Sequence, residues 1–443
     1  MKWRPVRHVL RLLVAASCIG LARPSAADVQ LVIATVDNGQ MRQLQALGTE
    51  FERANPGVHL RWVTLDEKTL RRVVSADLTT QGGQFDVVTI GNYEAAIWPR
   101  RGWLKPLMPE ADYDVADLLP TIRNSLSYRG ALYALPLYGE SSILMYRKDL
   151  VRKAGLTIPA VPTWQQIAGF AARLDDRAHD VHGICLRGQP GWGINMTLLT
   201  PMVNAFGGQW FDMQWRPQLQ TRAWREAAHL YVSLLRNYGP PDAASKGYNE
   251  NLRLFQEGKC AMWVDATVAA AFVTNPALSR TAGEVGFAAA PVGLTARGSQ
   301  WLWSWAFAIP ADVEGPREAL ARRFVAWASS RQYVRLVASR LGWRMVPSGT
   351  RASTYAEPDF RRAAPWAAYE REAIRRADQQ HATLPSSPYV GVQFAAIPAF
   401  PVIGDAVGRN IAEAVSGRLS VEEALERSQH SAERWIREEE GAW

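Results

Sequence analysis

The chain has 443 residues, of which 48% are apolar and 21% charged, a composition that excludes intrinsic disorder and collagen-like structure. This length exceeds what one ordinary hydrophobic core organises, and it predicts two or three domains. The formal net charge is +8, but five basic residues and no acidic residue lie in residues 1–27, and the remaining 45 basic and 42 acidic residues give only +3. The basic character therefore does not indicate nucleic-acid binding.

Residues 1–27 have the pattern of a secretory signal peptide. A basic segment, KWRPVRHVLR, precedes the apolar run LLVAASCIGLA, and small residues end the segment at Ala27. The apolar run is too short to span a bilayer, and no later segment is long and apolar enough to do so. We expect cleavage before Asp28, export to the periplasm and a soluble mature protein. A buried N-terminal helix and lipid anchoring at Cys18 are the alternatives.

The first part of the mature chain alternates between strand and helix patterns. VQLVIATV, VHLRWVTL and FDVVTIG are strand-like runs rich in β-branched residues. Between them, an amphipathic helix is predicted for residues 40–54, where an Asn-Pro-Gly sequence follows, and a second helix is predicted for residues 68–80. This alternation predicts a parallel sheet with crossover helices.

The middle of the chain has a different pattern. Residues 141–310 mix helical segments, clearest at residues 222–237, with turn signals and with the apolar, strand-length runs CAMWVDAT and WSWAFAIP. Helices are also predicted for residues 316–342 and 402–443. No repeat and no low-complexity linker marks a border, which favours two closely joined lobes with several short crossings between them.

The motifs of common enzymes are missing from the sequence. It contains no P-loop, no HExxH, no CxxC, no GxSxG and no GxGxxG. His179 and His182 form an HxxH pair without further ligands nearby, which we interpret as a solvated loop and not a metal site. We predict no metal and no cofactor. Carboxylate pairs for glycoside hydrolysis have no fixed spacing, so an exported carbohydrate-active enzyme stays an alternative.

Tryptophan is the main positive signal, with 18 residues against 13 tyrosines and 13 phenylalanines. Several tryptophans lie beside turn residues and polar groups, as in GWGIN, WVD and WLWSW. Aromatic faces with a few converging polar groups suit a polyhydroxylated ligand, because the rings pack on C–H surface while polar side chains bind the hydroxyls. The alternative is that these rings fill hydrophobic cores and contacts between lobes.

A set of stretches, taken in order, resembles the extracellular solute-binding proteins of ABC importers, in the group that includes maltodextrin binders. The stretches are LVIATVDNGQMRQLQALGTEFERANPGVHLRW, FDVVTIGNYEAAIWPRRGWLKPL, LYALPLYGESSILMYRKDLVRKAGL, PTWQQI, FGGQW, FxxGKCAMW and SGRLSVEEALE. The details YGESS, GWGxN, WVDATVAA, WxWAFAIP and STYAEPDF are most similar to the branch that binds the polyols mannitol and sorbitol. Each stretch is short, but the ordered set spans nearly the whole mature chain.

This resemblance implies an α/β fold of two lobes, each a sheet flanked by helices, with hinge strands joining them and a ligand cleft between them. Lobe I would comprise residues 28–139 and 312–343, and lobe II residues 140–311 and 344–443. The chain would cross between the lobes near residues 139–143, near residues 309–311 and again after Trp343.

Positions that match the family imply a ligand site shared by both lobes. The candidate contacts are Asp37, Asn38, Asn92, Tyr93, Glu94, Glu140, Trp192, Asn195, Trp263, Asp265, Trp303 and Arg344. The first five follow predicted strands, where open α/β sheets place ligand contacts. The acids would accept ligand hydroxyls and Arg344 would add donors. For Glu140 the alternative is a structural ion pair, whereas Asp265 has no basic neighbour in the sequence and is expected to face the ligand.

The resemblance implies a periplasmic binding protein, not an enzyme, that captures a sugar alcohol or small sugar and delivers it to an ABC permease. We expect a monomer whose lobes close on the ligand. The alternatives are an exported carbohydrate-active enzyme and a binder of a polyamine, a phosphate ester or an iron chelate. Export permits a disulfide between Cys185 and Cys260, but sequence alone does not decide whether it forms.

Overall fold

The structure is a computed structural model that describes residues 28–440. The predicted leader and Cys18 lie outside the described residues. No helix in the described part of the chain has the length and apolar character needed to cross a membrane.

Two larger sheets organise residues 28–440. The strands are β1 (Val29–Val36), β2 (Val58–Leu65), β3 (Val87–Ile90), β4 (Ser127–Tyr128), β5 (Ala131–Leu132), β6 (Leu135–Glu140), β7 (Ser142–Arg147), β8 (Met262–Ala266), β9 (Val285–Ala289) and β10 (Trp303–Ala308). The first sheet has the order β2-β1-β3-β10-β6 and the second the order β8-β7-β9, while β4 and β5 form a small hairpin. We call the elements packed around the first sheet lobe I and those around the second lobe II.

Helices cover both sheets. They are α1 (Gly39–Ala54), α2 (Glu67–Thr80), α3 (Asn92–Ile97), α4 (Pro120–Ser125), α5 (Lys148–Lys153), α6 (Trp164–Leu174), α7 (Asn195–Ala205), α8 (Arg222–Tyr238), α9 (Tyr248–Gln256), α10 (Ala269–Val273), α11 (Gly315–Ala328), α12 (Arg331–Leu341), α13 (Ala352–Ala356), α14 (Pro358–Ala363), α15 (Ala367–Arg376), α16 (Phe400–Val415) and α17 (Val421–Glu440). Helix α11 packs on strands of the first sheet, whereas α16 and α17 pack on α8 in lobe II.

The start of lobe I follows the predicted strand–helix alternation. β1 pairs in parallel with β2 and β3, as the sequence pattern predicts. Helix α1 begins where the Asn38 side chain accepts a hydrogen bond from the backbone N–H of Met41 at 3.0 Å, and its buried face includes Met41, Leu44 and Phe51. The sheet is mixed, however, because β10 pairs antiparallel with both β3 and β6.

The first crossing between the lobes falls at Ser141. β6 ends at Glu140 in the first sheet and β7 begins at Ser142 in the second, within the segment predicted from the sequence. The backbone of Ser141 pairs with lobe II, since its carbonyl accepts a hydrogen bond from the N–H of Thr267 at 2.8 Å. Only one residue therefore separates the two sheets here.

The second crossing differs from the prediction. The sequence placed residues 303–311 in lobe II, but β10 makes its ladder bonds with β3 and β6, so it belongs to the first sheet. The chain thus leaves lobe II before Trp303 and not near residues 309–311. Residues 348–350 also bond to lobe I, at Gly139 and Leu119, although the prediction gave them to lobe II.

A disulfide joins Cys185 and Cys260 inside lobe II, with 5.8 Å between their Cα atoms. The bond closes a loop with a sequence separation of 75 residues, and such bonds stabilise a fold mainly by restricting the unfolded chain. Replacing both cysteines by serine should lower the free energy of unfolding by roughly 2–5 kcal/mol. Urea unfolding measures the loss, and equal stability of the two proteins would show that the bond does not constrain the unfolded state.

Candidate functional site

A cavity of about 260 Å³ lies between the two lobes. The polar and aromatic residues that line it are Asp37, Asn38, Asp66, Glu67, Lys68, Arg71, Tyr138, Glu140, Arg187, Gln189, Trp192, Thr197, Tyr248, Asn249, Glu250, Trp303, Trp305 and Gln393. The segments after β1 and β2 contribute Asp37 and Glu67, in agreement with the rule that ligands bind at the carboxyl ends of parallel strands. The cavity is of a size for a small molecule and below the usual range for drug-sized ligands, which begins at roughly 300 Å³.

Five of the twelve predicted residues line this cavity, namely Asp37, Asn38, Glu140, Trp192 and Trp303. Asn38 is held from two sides, because its side chain caps α1 and its amide N–H donates to the Tyr138 hydroxyl at 2.9 Å. The Asp37 carboxylate accepts from Arg42 Nε at 2.7 Å and is about half exposed. The hydrogen bonds of these two side chains are therefore all made within lobe I.

The aromatic wall is organised around the guanidinium of Arg71. This group lies 3.8 Å from the centroid of Trp192, which belongs to lobe II, and 4.9 Å from that of Trp303 in lobe I. Arg71 also pairs with Glu67 at 3.0 Å. Cation–π contacts of this kind are strongest where water is excluded, and Arg71 is largely buried. Arg71 thus joins rings of both lobes at the edge of the cavity.

Glu140 faces the cavity at the end of β6. It is 6% exposed, and its carboxyl makes no hydrogen bond or ion pair with any residue in the described chain. Burial raises the pKa of this carboxyl to about 8, and the neighbouring charge of Arg187 offsets only part of that effect. The alternative of a structural ion pair therefore does not describe Glu140, and a ligand donor would satisfy it.

Asp265 lies behind the cavity and pairs with Arg187. Arg187 Nη2 donates to Asp265 Oδ1 at 2.6 Å, and Arg187 Nε lies 3.0 Å from Oδ2. Asp265 is fully buried and does not line the cavity, whereas Arg187 does. We expected Asp265 to face the ligand, but its basic partner Arg187 lines the cavity instead. The sequence did not reveal this partner, because Arg187 comes from a distant part of the chain.

Asn92, Tyr93 and Glu94 lie beside the cavity without lining it. Asn92 accepts from the backbone N–H of Ser304 at 2.6 Å, and the Tyr93 hydroxyl donates to the carbonyl of Ile397 at 2.9 Å. Glu94 caps α3 at Gly91 and lies 3.4 Å from Arg71 Nε. Tyr93 and Glu94 instead line an adjoining cavity of about 390 Å³, which shares Arg71 and Trp192 with the first.

Three further candidates have partners of their own away from the cavity. The Trp263 indole is fully buried and donates to Asp265 at 3.0 Å. Asn195 accepts from Gly191 N–H at 3.1 Å and donates to the Gly408 carbonyl. Arg344 donates to the carbonyl of Thr274 at 2.8 Å. These contacts tie segments of the fold together, and none of the three side chains lines the cavity.

Sequence reasoning missed several lining residues, above all Glu67, Arg71 and Arg187. Glu67 and Arg71 carry a signal that was available, because they stand four residues apart at the start of the helix that follows β2. Arg187 lies in an irregular segment and carries no such signal.

The two lobes touch across the cavity, as in a closed binding protein. Lys68 of lobe I lies 3.9 Å from the carboxylate of Asp405 in lobe II. The Asn249 amide donates to the Asp37 carbonyl at 3.3 Å. A Cβ atom on Gly39 would overlap the ring of Phe272, which shows how closely α1 approaches lobe II. The described conformation therefore encloses the cavity between the lobes.

Known proteins share both the sequence and the fold. A mannitol-binding protein of Pseudomonas aeruginosa is 48% identical over 427 residues, which cover 96% of this chain and 97% of that protein. An ABC transporter solute-binding protein of Agrobacterium vitis S4, solved with bound D-mannitol, is 49% identical with a TM-score of 0.90, covering 92% of this chain and 98% of that chain. A solute-binding protein of Agrobacterium radiobacter K84, solved with ribitol, has 24% identity and a TM-score of 0.81, covering 92% and 99% of the two chains, and it supports the fold alone.

These similarities confirm the resemblance seen in the sequence and the two-lobed fold that it implies. The family model of bacterial extracellular solute-binding proteins matches residues 37–335, which is more than half of the chain. The chain therefore belongs to the bacterial extracellular solute-binding proteins.

Proposed function

We propose that the protein binds a hexitol, D-mannitol in the first place, in the cavity between its lobes. The observation that carries the proposal is the pairing of aromatic faces with both acceptors and donors around one small cavity, as in Trp192, Trp303, Glu140 and Arg187. Aromatic rings cover the C–H surface of a polyol, while the charged groups exchange hydrogen bonds with its hydroxyls. The relatives described as binding mannitol support the same choice of ligand.

The charges around the cavity favour a neutral polyol over the other solutes considered. A polyamine would need a surplus of free carboxylates, but Glu67 is paired with Arg71. The unpaired carboxyl of Glu140 does not supply a negative charge at neutral pH, because burial raises its pKa to about 8. A phosphate ester or an iron chelate would need free cationic groups, but the guanidinium of Arg187 is paired with Asp265. A ligand that both donates and accepts hydrogen bonds without a net charge fits this balance.

Delivery to an ABC permease and residence in the periplasm complete the proposal. The protein would act by differential affinity, because a ligand that contacts both lobes stabilises the closed form, which the permease would recognise. We propose that it acts as a monomer and that no reaction takes place in the cavity. Membership of an extracellular family supports the location.

Calorimetric titration of the purified protein tests the proposed ligand directly. D-Mannitol should bind, with D-sorbitol and ribitol as related polyols, while spermidine and glucose 6-phosphate should give no heat of binding. At a hundredfold excess over Kd, D-mannitol should also stabilise the fold by roughly 2.7 kcal/mol. Binding of spermidine or the phosphate ester without binding of any polyol would refute the proposal.

A further inference from the structure

We propose that Arg187 donates hydrogen bonds to two oxygen atoms of the ligand and that Asp265 is the residue that positions it. This inference rests on the proposed function and names the residue pair by which the site recognises hydroxyl groups. Arg187 lines the cavity, whereas Asp265 lies directly behind it.

The donors of Arg187 are not all used by the protein. A guanidinium has five N–H groups. Nε and one N–H of Nη2 point to the carboxylate of Asp265, and one N–H of Nη1 points to the carbonyl of Gly193 at 3.3 Å. One N–H on each Nη atom then has no acceptor among the described residues. Arg187 is only 6% exposed, so these two donors are buried and need acceptors from a molecule in the cavity.

Asp265 is itself held rigidly, which fixes the direction of the remaining donors. Its Oδ2 accepts from the indole N–H of Trp263 at 3.0 Å, and its Oδ1 accepts from the backbone N–H of Ala266 at 2.7 Å. The Tyr231 hydroxyl donates to the carbonyl of Arg187 and so anchors the other end of the residue. A site held from behind in this way loses little side-chain entropy when it binds a ligand.

The same pair determines which ligand oxygens fit. Asp265 balances the charge of Arg187, so the two free donors do not require an anionic ligand. Hydroxyl oxygens accept such hydrogen bonds, and the nearby carboxyl of Glu140 takes a hydrogen bond that a hydroxyl donates. The pair therefore selects a ligand whose neighbouring hydroxyls accept on one side and donate on the other.

The test combines protein variants with ligands that lack chosen hydroxyls. The probes are D-mannitol and its 1,6-, 2,5- and 3,4-dideoxy derivatives, which keep the two-fold symmetry of the ligand, so that turning it end to end cannot hide a lost contact. The variants are Arg187→Met, which removes the donors, and Asp265→Asn, which keeps the shape of the positioning group. Calorimetry measures the affinity for each probe.

In the wild-type protein, at least one dideoxy derivative should bind roughly tenfold or more weakly than D-mannitol, because buried charged donors lose their acceptors. Arg187→Met should weaken D-mannitol binding by about a hundredfold. We call the factor by which a dideoxy derivative binds more weakly than D-mannitol its penalty, and Arg187→Met should reduce this penalty by at least about tenfold for that derivative. Asp265→Asn should lower the affinity for D-mannitol and the penalty for that derivative by less than Arg187→Met does. A general structural defect would weaken the binding of all four ligands by the same factor and leave the penalties unchanged.

A second buried pair of the same chemistry supplies the control. Asp117 accepts from the buried Arg351 at 3.2 Å in lobe I, away from the cavity, so Asp117→Asn should lower the melting temperature and leave every affinity ratio unchanged. If Arg187→Met does not fold, the double variant Arg187→Met/Asp265→Leu removes both buried charges together.

The outcomes separate the two proposals. If the wild type binds D-mannitol but Arg187→Met has the same penalties for the dideoxy derivatives as the wild type, Arg187 does not donate hydrogen bonds to the ligand. Wild-type affinities and penalties in Asp265→Asn would overturn the role of Asp265. Failure of the wild-type protein to bind D-mannitol would refute the proposed function, and this inference with it.

Discussion

Replacing Glu140 by glutamine will stabilise the protein without ligand at pH 8 and weaken ligand binding at the same pH. Burial raises the pKa of this carboxyl from its ordinary value of 4.5 to about 8. The folded protein therefore holds a proton on Glu140 in the range between those two values, whereas the unfolded chain has released it. Stability falls as pH rises through this range, because the unfolded state binds fewer protons than the folded state.

The size of the effect follows from the shift in pKa. The wild-type protein should lose on the order of 4 kcal/mol of stability from Glu140 between pH 4.5 and about 8, and none above that range. Glutamine carries no such proton, so the Glu140→Gln protein should keep a flatter stability profile. At pH 8, where the carboxyl begins to ionise, affinity for D-mannitol should fall roughly tenfold to a hundredfold, since glutamine cannot supply the charged acceptor that ionised Glu140 offers to a ligand hydroxyl.

Urea unfolding from pH 4.5 to 9 measures the stability, and calorimetry at pH 8 measures the affinity. Glu370 provides the control, because it is a fully buried acid that accepts from the Tyr355 hydroxyl at 2.5 Å and does not line the cavity. Glu370→Gln should leave the affinity for D-mannitol close to that of the wild type. If the stabilities of Glu140→Gln and the wild type change with pH in parallel, Glu140 is ionised in the folded protein over the whole range from pH 4.5 to 9.

Local patterns predicted the individual elements of the fold well. β1, α1 and β2 lie where alternating and amphipathic patterns place them, because each pattern reflects which face of an element is buried. Local patterns did not predict to which of the two sheets β10 belongs. An apolar strand is buried in either lobe, and only its pairing with β3 and β6 decides the question.

The same limit applies to the candidate site. Trp263 and Trp303 both lie in buried strands beside polar residues, yet Trp303 lines the cavity while Trp263 lies in the core of lobe II. The partner of Asp265 stands 78 residues earlier in the chain, so no spacing rule connects the two residues. Residues that follow a strand are predictable from the sequence, whereas contacts between distant segments depend on the tertiary fold.

Replacing Gly39 by alanine will weaken ligand binding although Gly39 does not line the cavity. Gly39 is the first residue of α1 in lobe I, and a Cβ atom there would overlap the ring of Phe272 on α10 in lobe II. The overlap exists only while the lobes are in contact, so it should destabilise the closed form and leave the open form unchanged. Overpacking of this kind costs about 1–3 kcal/mol, which corresponds to roughly tenfold to a hundredfold weaker binding of D-mannitol.

Solution scattering and calorimetry distinguish this effect from a general loss of stability. At saturating D-mannitol, Gly39→Ala should keep a larger radius of gyration than the wild type, while its melting temperature without ligand stays within a few degrees. Gly169→Ala is the matched control, since Gly169 is exposed and a Cβ there meets no atom within 4 Å. Truncating the ring in the double variant Gly39→Ala/Phe272→Ala should restore affinity, because the overlap is relieved. Wild-type affinity and contraction in Gly39→Ala would show that this contact is not part of the ligand-bound form, and that the lobes close in a different arrangement.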